Sequence, residues 1–366
     1  MQLVISIYDS LGNPYYAGGG PVVLQHVARR LSARYSVTVL TGAYPGAQDR
    51  EEQGITYRHI GLPDRISSLT SFQFLLPYYA RTLSYDLWLE SFTPPFSTAF
   101  LPLVTRKPVV GLAHILSGPI MAAKYHLPFD WYERAGLRLY RQVIVPTPEV
   151  AEGIRNANPQ AEVTVIPNGV DTIDFSPLPP PERYILFLGR IDWRQKGLDM
   201  LVKAYALVKD GIEAKLYIAG HGTEAEETYL RDLIHRNGLR DRIVLKGRVD
   251  GDTKLALLAN AEFVAIPSRY EGMSLVALEA FSFRKPVVCF DVPGFRWIEH
   301  DGPVLKAKPF HLHDYAQLML VLTTDPDRRE RMGREAGELV RDYSWERTTA
   351  AYEDVISACL QRTECG

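Results

Sequence analysis

Cysteine is scarce. The 366 residues hold three, Cys289, Cys359 and Cys365, too few for a disulfide framework, so a reducing compartment is expected. Charge of one sign is also missing. Lys plus Arg number 41 and Asp plus Glu 43, for a net charge of −2. The chain up to Val170 leans slightly basic and the remainder slightly acidic. That balance sets up no field for a nucleic-acid partner. No stretch reaches the roughly 18 consecutive apolar residues of a transmembrane helix. Met1-Gln2 leads into Leu-Val-Ile-Ser-Ile with no charged n-region and no long apolar h-region, so no signal peptide is expected. A cytoplasmic location is expected. Short-period repeats and low-complexity tracts are absent too. What is present is an ordinary globular composition, 46% apolar and 23% charged, on a chain long for one core and comfortable for two domains.

β-type apolar runs alternate with helical patterns throughout. Leu3–Tyr8, Val37–Leu40, Leu87–Leu89, Val109–Ala113 and Val143–Val145 are strand candidates in the first half. Tyr184–Leu188, Lys215–Ala219, Ile243–Lys246, Phe263–Ile266 and Val287–Phe290 are their counterparts in the second. Helical patterns such as Val22–Leu31, Gly197–Val208 and Thr223–Asn237 fall between them. The alternation predicts an α/β fold of parallel sheets with helices on both faces. Pro177, Pro179, Pro180 and Pro181 crowd the segment Asp171–Glu182. Proline lacks the donor that strand and helix interiors need, so this segment is expected to link two domains, 1–170 and 183–344.

One stretch carries most of the chemical information: Glu271-Gly272-Met273-Ser274-Leu275-Val-Ala-Leu-Glu279. An apolar run, Phe263–Ser268, precedes it and a helical pattern through Phe283 contains its second acid. One carboxylate is thus expected in the loop at the C-terminal end of a strand, the other inside the next helix. Ligands of open parallel sheets bind at that edge, and the helix N-terminus offers free N–H groups to an anion. The arrangement suits a ligand with a hydroxyl-rich part, a diphosphate and a ribose. Tyr184–Leu188 runs into Gly189-Arg190, with Lys196-Gly197 five residues on. Two cations above a strand end hold a diphosphate, arginine as a planar fork and lysine as a point charge. Ala17-Gly18-Gly19-Gly20 sits between the first strand and the helix Val22–Leu31, where missing Cβ atoms let backbone approach a ligand. His114 ends the strand Val109–Ala113, where a neutral imidazole hydrogen-bonds a ligand or a carbonyl. His126 and His221 are alternatives.

These segments together resemble the retaining GT-B glycosyltransferases, glycosyltransferase family 4 in particular, from the glycine loop to the last helix. The resemblance implies two Rossmann-like domains facing a central cleft, with the nucleotide sugar held mainly by the C-terminal one and acceptor hydroxyls presented from the N-terminal side. It implies that Arg190 and Lys196 neutralise the leaving diphosphate and that Glu271 meets the donor sugar hydroxyls. It further implies that Glu279 binds the ribose, that Gly272 to Leu275 line sugar and phosphate, and that the backbone of Val249 lies along the base. Gly19, Gly20 and His114 approach the donor from the first domain. Ser274 stands where the family commonly has a second glycine. The helix from Trp345 to about Leu360, within 345–366, resembles the one that returns to the N-terminal domain. The expected activity is metal-independent transfer, with retention, of a hexose-type sugar from a UDP- or GDP-sugar to a sugar, glycolipid or small-molecule acceptor, without a cofactor. A GT-B-fold sugar-nucleotide epimerase and a non-catalytic nucleotide-sugar binder remain alternatives.

Two D-x-D patterns, Asp250–Asp252 and Asp325–Asp327, are where a metal-dependent transferase would hold a divalent cation. The first is expected instead to open a helix, where aspartate is a common cap, and the second to bracket Pro326 between helices, so neither is expected to hold a metal. Arg134, Arg138 and Arg141 have the i, i+4, i+7 spacing of one helix face. With the apolar stretch Phe72–Leu76 and Tyr78–Tyr79 they suggest peripheral contact with an anionic membrane, at its inner face.

Overall fold

The computed structural model describes residues 1–15, 18–171, 183–298 and 302–364. The chain forms two compact units, Met1–Gly169 joined by the chain from Trp345 on, and Val170–Ser344. Apart from Asp171, the expected linker lies outside the described residues, as do Ala17 and Cys365.

The first unit contains β1 (Gln2–Ser6), α1 (Gly20–Leu31), β2 (Ser36–Gly42), β3 (Arg50–Glu52), β4 (Ile55–Ile60), α2 (Ser68–Thr82), β5 (Leu87–Ser91), β6 (Val109–Leu112), α3 (Gly118–Tyr125), α4 (Phe129–Leu137), β7 (Gln142–Val145), α5 (Pro148–Ala157) and β8 (Glu162–Val165). Its sheet runs β3-β4-β2-β1-β5-β6-β7-β8, parallel except for β3 against β4. β5 and β7 are buried along their whole length, because helices cover both faces of a parallel sheet. Phe72, Leu76, Tyr85 and Trp88 fill one cluster, and Phe92, Leu137, Tyr140 and Ile154 another. The order reverses between β1 and β5, which makes their C-terminal ends a topological switch point.

Several details differ from expectation. α1 starts at Gly20 rather than Val22, because Pro21 fits the first turn, where an N–H has no intrahelical partner. Gly20 is therefore helical and not part of the loop. β3 and β4 form a hairpin closed by Gln53 and Gly54, both at positive φ, the geometry of a type I′ turn. The charged Arg-Glu-Glu of β3 gives no apolar signal, yet charge suits an edge strand. α4 stops at Leu137, where Asn158 Nδ2 donates to the carbonyls of Leu137 and Tyr140 at 2.9 and 3.0 Å. Those bonds satisfy carbonyls left open by the helix end. Arg141 thus lies beyond the helix, and only Arg134 and Arg138 keep the expected spacing. Phe72 and Leu76 are core residues, and α2 turns Phe74 and Tyr78 outward instead.

The C-terminal helix, Trp345–Glu364, packs in this unit. Trp345 stacks on His26 at 4.2 Å and nearly parallel, Thr348 Oγ1 donates to Pro167 O at 3.0 Å, and Arg34 pairs with Glu353 at 2.7 Å. A Cβ on Gly169 would meet the Trp345 ring at 2.5 Å.

The second unit contains β9 (Tyr184–Leu188), α6 (Leu198–Val208), β10 (Lys215–Ala219), α7 (Glu224–Arg236), β11 (Ile243–Gly247), α8 (Gly251–Asn260), β12 (Phe263–Ile266), α9 (Leu275–Ser282), β13 (Val287–Phe290), β14 (Val304–Ala307), α10 (Leu312–Thr324) and α11 (Pro326–Leu339). Its parallel sheet runs β11-β10-β9-β12-β13-β14. One continuous apolar core spans it, with Leu186, Leu201, Phe263, Phe281 and Phe290 fully enclosed. α7 opens with a reciprocal cap, Glu226 N to Thr223 Oγ1 at 3.3 Å and Thr223 N to Glu226 Oε2 at 2.8 Å. Here the order reverses between β9 and β12, which pair directly through Ile185 and Phe263.

Candidate active site

The second switch point gathers most of the sequence-derived residues. β9 ends at Leu188 and delivers Arg190 and Lys196 in the loop before α6. β12 ends at Ile266 and delivers Ser268 and Glu271 in the loop before α9. Because the two strands are neighbours, their outgoing loops meet. Lys196 Nζ lies 2.6 Å from Glu271 Oε1, and Ser268 Oγ donates to the same oxygen at 2.6 Å. The Glu271 side chain is 9% exposed and that of Lys196 22%. Both bonds fall on Oε1, so among the described residues Oε2 is left to accept from a ligand hydroxyl. Backbone geometry enforces this meeting. Gly197 takes φ +66°, and a Cβ there would overlap the Pro267 carbonyl oxygen. Gly294, after β13, lies so close that a Cβ would sit 2.5 Å from the Glu271 backbone oxygen.

A second layer ties the two loops together. Arg190 donates to Gln195 Oε1 at 2.6 Å and to Asp192 Oδ2 at 3.2 Å. Asp192 Oδ1 accepts from the backbone N–H groups of Arg194 and Gln195 at 2.9 and 3.0 Å. Arg269 forks onto Asp199 with two bonds of 2.8 Å, and its own N–H donates to Gln195 O at 2.8 Å. A bidentate pair holds both direction and distance. The loop bearing Lys196 is thereby fixed to the loop bearing Glu271. His221 contributes through its backbone, whose carbonyl accepts from Ile191 N at 2.8 Å.

Glu279 lies on α9, one helical turn inside the sheet edge. Lys254 of α8 reaches it, Nζ to Oε1 at 2.6 Å. Burial raises the Glu279 carboxyl above its ordinary value, Lys254 opposes that shift, and Asp171 adds to it. Met273 is buried, and Ser274 caps α9 by accepting from Ala277 N at 3.3 Å. Ser274 has an ordinary φ of −71°, so no glycine is needed there. Its hydroxyl serves the helix start. The segment Gly272 to Leu275 therefore presents the N-terminus of α9 beside Glu271. Val249 follows β11 and packs its side chain partly against the core.

In the first unit, Gly19 is the cap of α1, and the N–H of Gly18 is held by Asp9 Oδ2 at 2.9 Å. A Cβ on Gly20 would stand 3.4 Å from the His114 ring. His114 Nε2 is enclosed and has no hydrogen-bond partner among the described residues. Burial pushes its pKa down to about 4, which keeps the imidazole neutral at ordinary pH. His126 instead ends α3, exposed and in a left-handed conformation.

Neither D-x-D pattern gathers ligands. Asp325 caps α11 by accepting from Arg328 N at 2.9 Å. Asp250 precedes α8, but its side chain makes no cap bond, contrary to expectation. Among the described residues no group of three or more His, Cys, Asp or Glu gathers as a metal site. Sequence reasoning missed Ser268, Asp192, Gln195, Asp199, Arg269 and Lys254. Ser268 alone left a trace, closing the apolar run before Glu271; Asp192 and Gln195 show through bonds inside the Arg190 loop, and Asp199, Arg269 and Lys254 through tertiary contact.

Comparison with known proteins gives the family and the fold. Residues 17–173 match the family model Glycosyltransferase Family 4, and residues 171–339 match Glycosyl transferases group 1. The α-D-kanosaminyltransferase of Streptomyces kanamyceticus is 34% identical over 42% of this chain and 40% of its own length. A D-inositol 3-phosphate glycosyltransferase of Arthrobacter is 32% identical over 57% and 53% respectively. The chain thus spans about half the length of these relatives. A similar enzyme from Thermobifida fusca is 28% identical over 95% of this chain and 91% of its own length. Among solved structures, sucrose-phosphate synthase from Thermosynechococcus elongatus superposes with a TM-score of 0.80 at 20% identity, covering 98% of this chain and all of that one. HepE of Anabaena, in complex with UDP and glucose, superposes at 0.74 and 18%, with the same coverage. At such identity these likenesses establish the fold, the GT-B type. Matched by the two models from residue 17 to 339, the chain belongs to glycosyltransferase family 4.

Proposed function

We propose that this chain is a glycosyltransferase that moves a hexose-type sugar from a nucleotide diphosphate sugar, UDP- or GDP-linked, to an acceptor hydroxyl, with retention and without a metal. One observation carries the reading: Lys196, Glu271 and Ser268 converge at the β9–β12 switch point, beside the N-terminus of α9. Lys196 and Arg190 stabilise the diphosphate as it departs, and the α9 N–H groups add to that field. Glu271 accepts from sugar hydroxyls and sets the orientation of the reacting carbon. Glu279 accepts from the ribose. The acceptor attacks from the face the diphosphate leaves, and its proton passes to a phosphate oxygen. UDP and glucose in HepE support a nucleotide-sugar ligand; the named relatives differ in sugar and acceptor and favour no single pair.

The test is nucleotide release from candidate donor sugars in the presence of EDTA, with and without acceptor sugars, lipids and cyclitols, followed by NMR of the product anomer. Acceptor-dependent release with the donor configuration kept is the expected result. Conversion of the donor without acceptor would favour an epimerase. Inversion, or a requirement for added divalent cation, would overturn the mechanism.

A further inference from the structure

The first unit carries an aromatic and basic surface that includes none of the residues assigned to the donor site. α2 turns Phe74, Tyr78 and Arg81 outward at i, i+4 and i+7, with Phe74 66% and Tyr78 60% exposed. The turn and helix of the α3–α4 hairpin expose Tyr125, Leu127 and Trp131, the last at 68%. A chain of ring contacts links the two elements. Phe96 joins them, with ring centroids 6.1 Å from Phe74, 5.8 Å from Phe129 and 6.1 Å from Tyr132. Tyr125 packs edge-on against Phe129 at 5.9 Å.

Cations flank these rings. Lys124 sits over the Tyr125 ring at 4.9 Å, Arg134 is exposed on α4, and Arg138 is exposed at its C-cap. The nearby acids do not cancel them. Glu133 is buried and spent on the start of α3, accepting from Ser117 N and Gly118 N at 3.0 Å and from Ser97 Oγ at 2.6 Å. Glu90 is buried in β5. Of the hairpin's two acids, Asp130 is half-exposed. The hairpin therefore presents positive charge around large amphipathic rings.

We propose that this surface docks on an anionic lipid bilayer. Trp and Tyr settle at the boundary between headgroups and acyl chains, while Lys and Arg draw on anionic lipid. Apolar insertion and a basic patch are the two signals that together give stable but reversible attachment. Among the described residues no helix is long and apolar enough to cross a membrane; the surface lies on the bilayer. A two-fold contact between copies would set Lys124, Arg134 and Arg138 against their own kind, whereas a bilayer supplies the opposite charge. The inference does not depend on the sugar-transfer reading.

The experiment is co-sedimentation of the full chain with vesicles of phosphatidylcholine, with and without phosphatidylglycerol, at low and high salt. Sedimentation velocity without lipid reports oligomeric state. Binding is expected only with phosphatidylglycerol, and to weaken with salt. Leu127→Ser with Trp131→Ser should lower partition about tenfold, and Arg134→Gln with Arg138→Gln about fivefold per charge. Nucleotide binding should be unchanged in both pairs, which also reports folding. Absent or lipid-indifferent binding would overturn the proposal. So would a lipid-free dimer that the Trp131 pair dissolves, or binding to soluble acidic polysaccharide that excludes vesicles.

Discussion

Lys254→Met should weaken nucleotide binding in a pH-dependent way. Its ammonium lies 2.6 Å from Glu279 Oε1, and the two side chains are 30% and 20% exposed. Burial already raises the Glu279 carboxyl, and Lys254 is the cation that holds it down. Without it the carboxyl rises further, and a protonated carboxyl is a poorer acceptor for two ribose hydroxyls. A hydrogen bond to an ionised acceptor is worth about 1.5–3 kcal/mol, or about ten- to 150-fold in Kd. The deficit should be largest at mildly acidic pH and shrink as pH climbs and Glu279 ionises again. Titration calorimetry of the ribonucleoside diphosphate across that range is the assay, with the 2′-deoxy analogue as control. The analogue has already lost one hydroxyl, so its affinity should fall less. An unchanged Kd at every pH, or equal losses for both nucleotides, would refute the coupling between Lys254 and Glu279.

Lys196→Ala should lower turnover by about a hundredfold or more, with the melting temperature close to wild type; wild-type turnover would end the phosphate assignment. Gly197→Ala should destabilise the protein by about 2 kcal/mol or more, read as a fall in the melting temperature, because it combines φ +66° with overlap on Pro267. Glu90 offers a pH test of stability. It accepts from Tyr140 Oη and from Ala99 N, and burial raises its pKa from 4.5 to about 7. The folded state thus favours the neutral acid. That stability is present in full below pH 4.5 and is lost as pH rises through about 7, roughly 3 kcal/mol in all. Glu90→Gln should flatten the fall in melting temperature over that interval.

The parts of the fold legible in sequence were those written in apolar runs. β9, β10, β12 and β13 have the expected bounds, since each is a buried strand bordered by glycine, proline or charge. β3, β4, β8 and β14 were not legible. β3 is wholly charged, and β4 and β8 mix polar and apolar residues at the sheet's margins, where solvent relaxes the pattern. The pair Glu271 and Glu279 was legible because strand, loop and helix are contiguous in sequence. Lys254, which meets Glu279 from α8, and Asp199, which meets Arg269 from α6, were not. Their partners lie 25 and 70 residues away, and no local pattern marks a charged residue as facing another element. Ser274 shows a local case: it stands where the family commonly has a second glycine, and its hydroxyl caps its own helix by accepting from Ala277 N.

The decisive measurement is titration of the wild-type chain and its Lys196→Ala and Glu271→Gln variants with UDP, GDP, ADP and TDP and their common sugars, in EDTA. Wild type should bind one nucleotide family without metal, Lys196→Ala should lose affinity for the diphosphate itself, and Glu271→Gln should lose only the added affinity conferred by the sugar. If wild type binds none of them, or if both variants bind like wild type, the β9–β12 switch point is not the donor site.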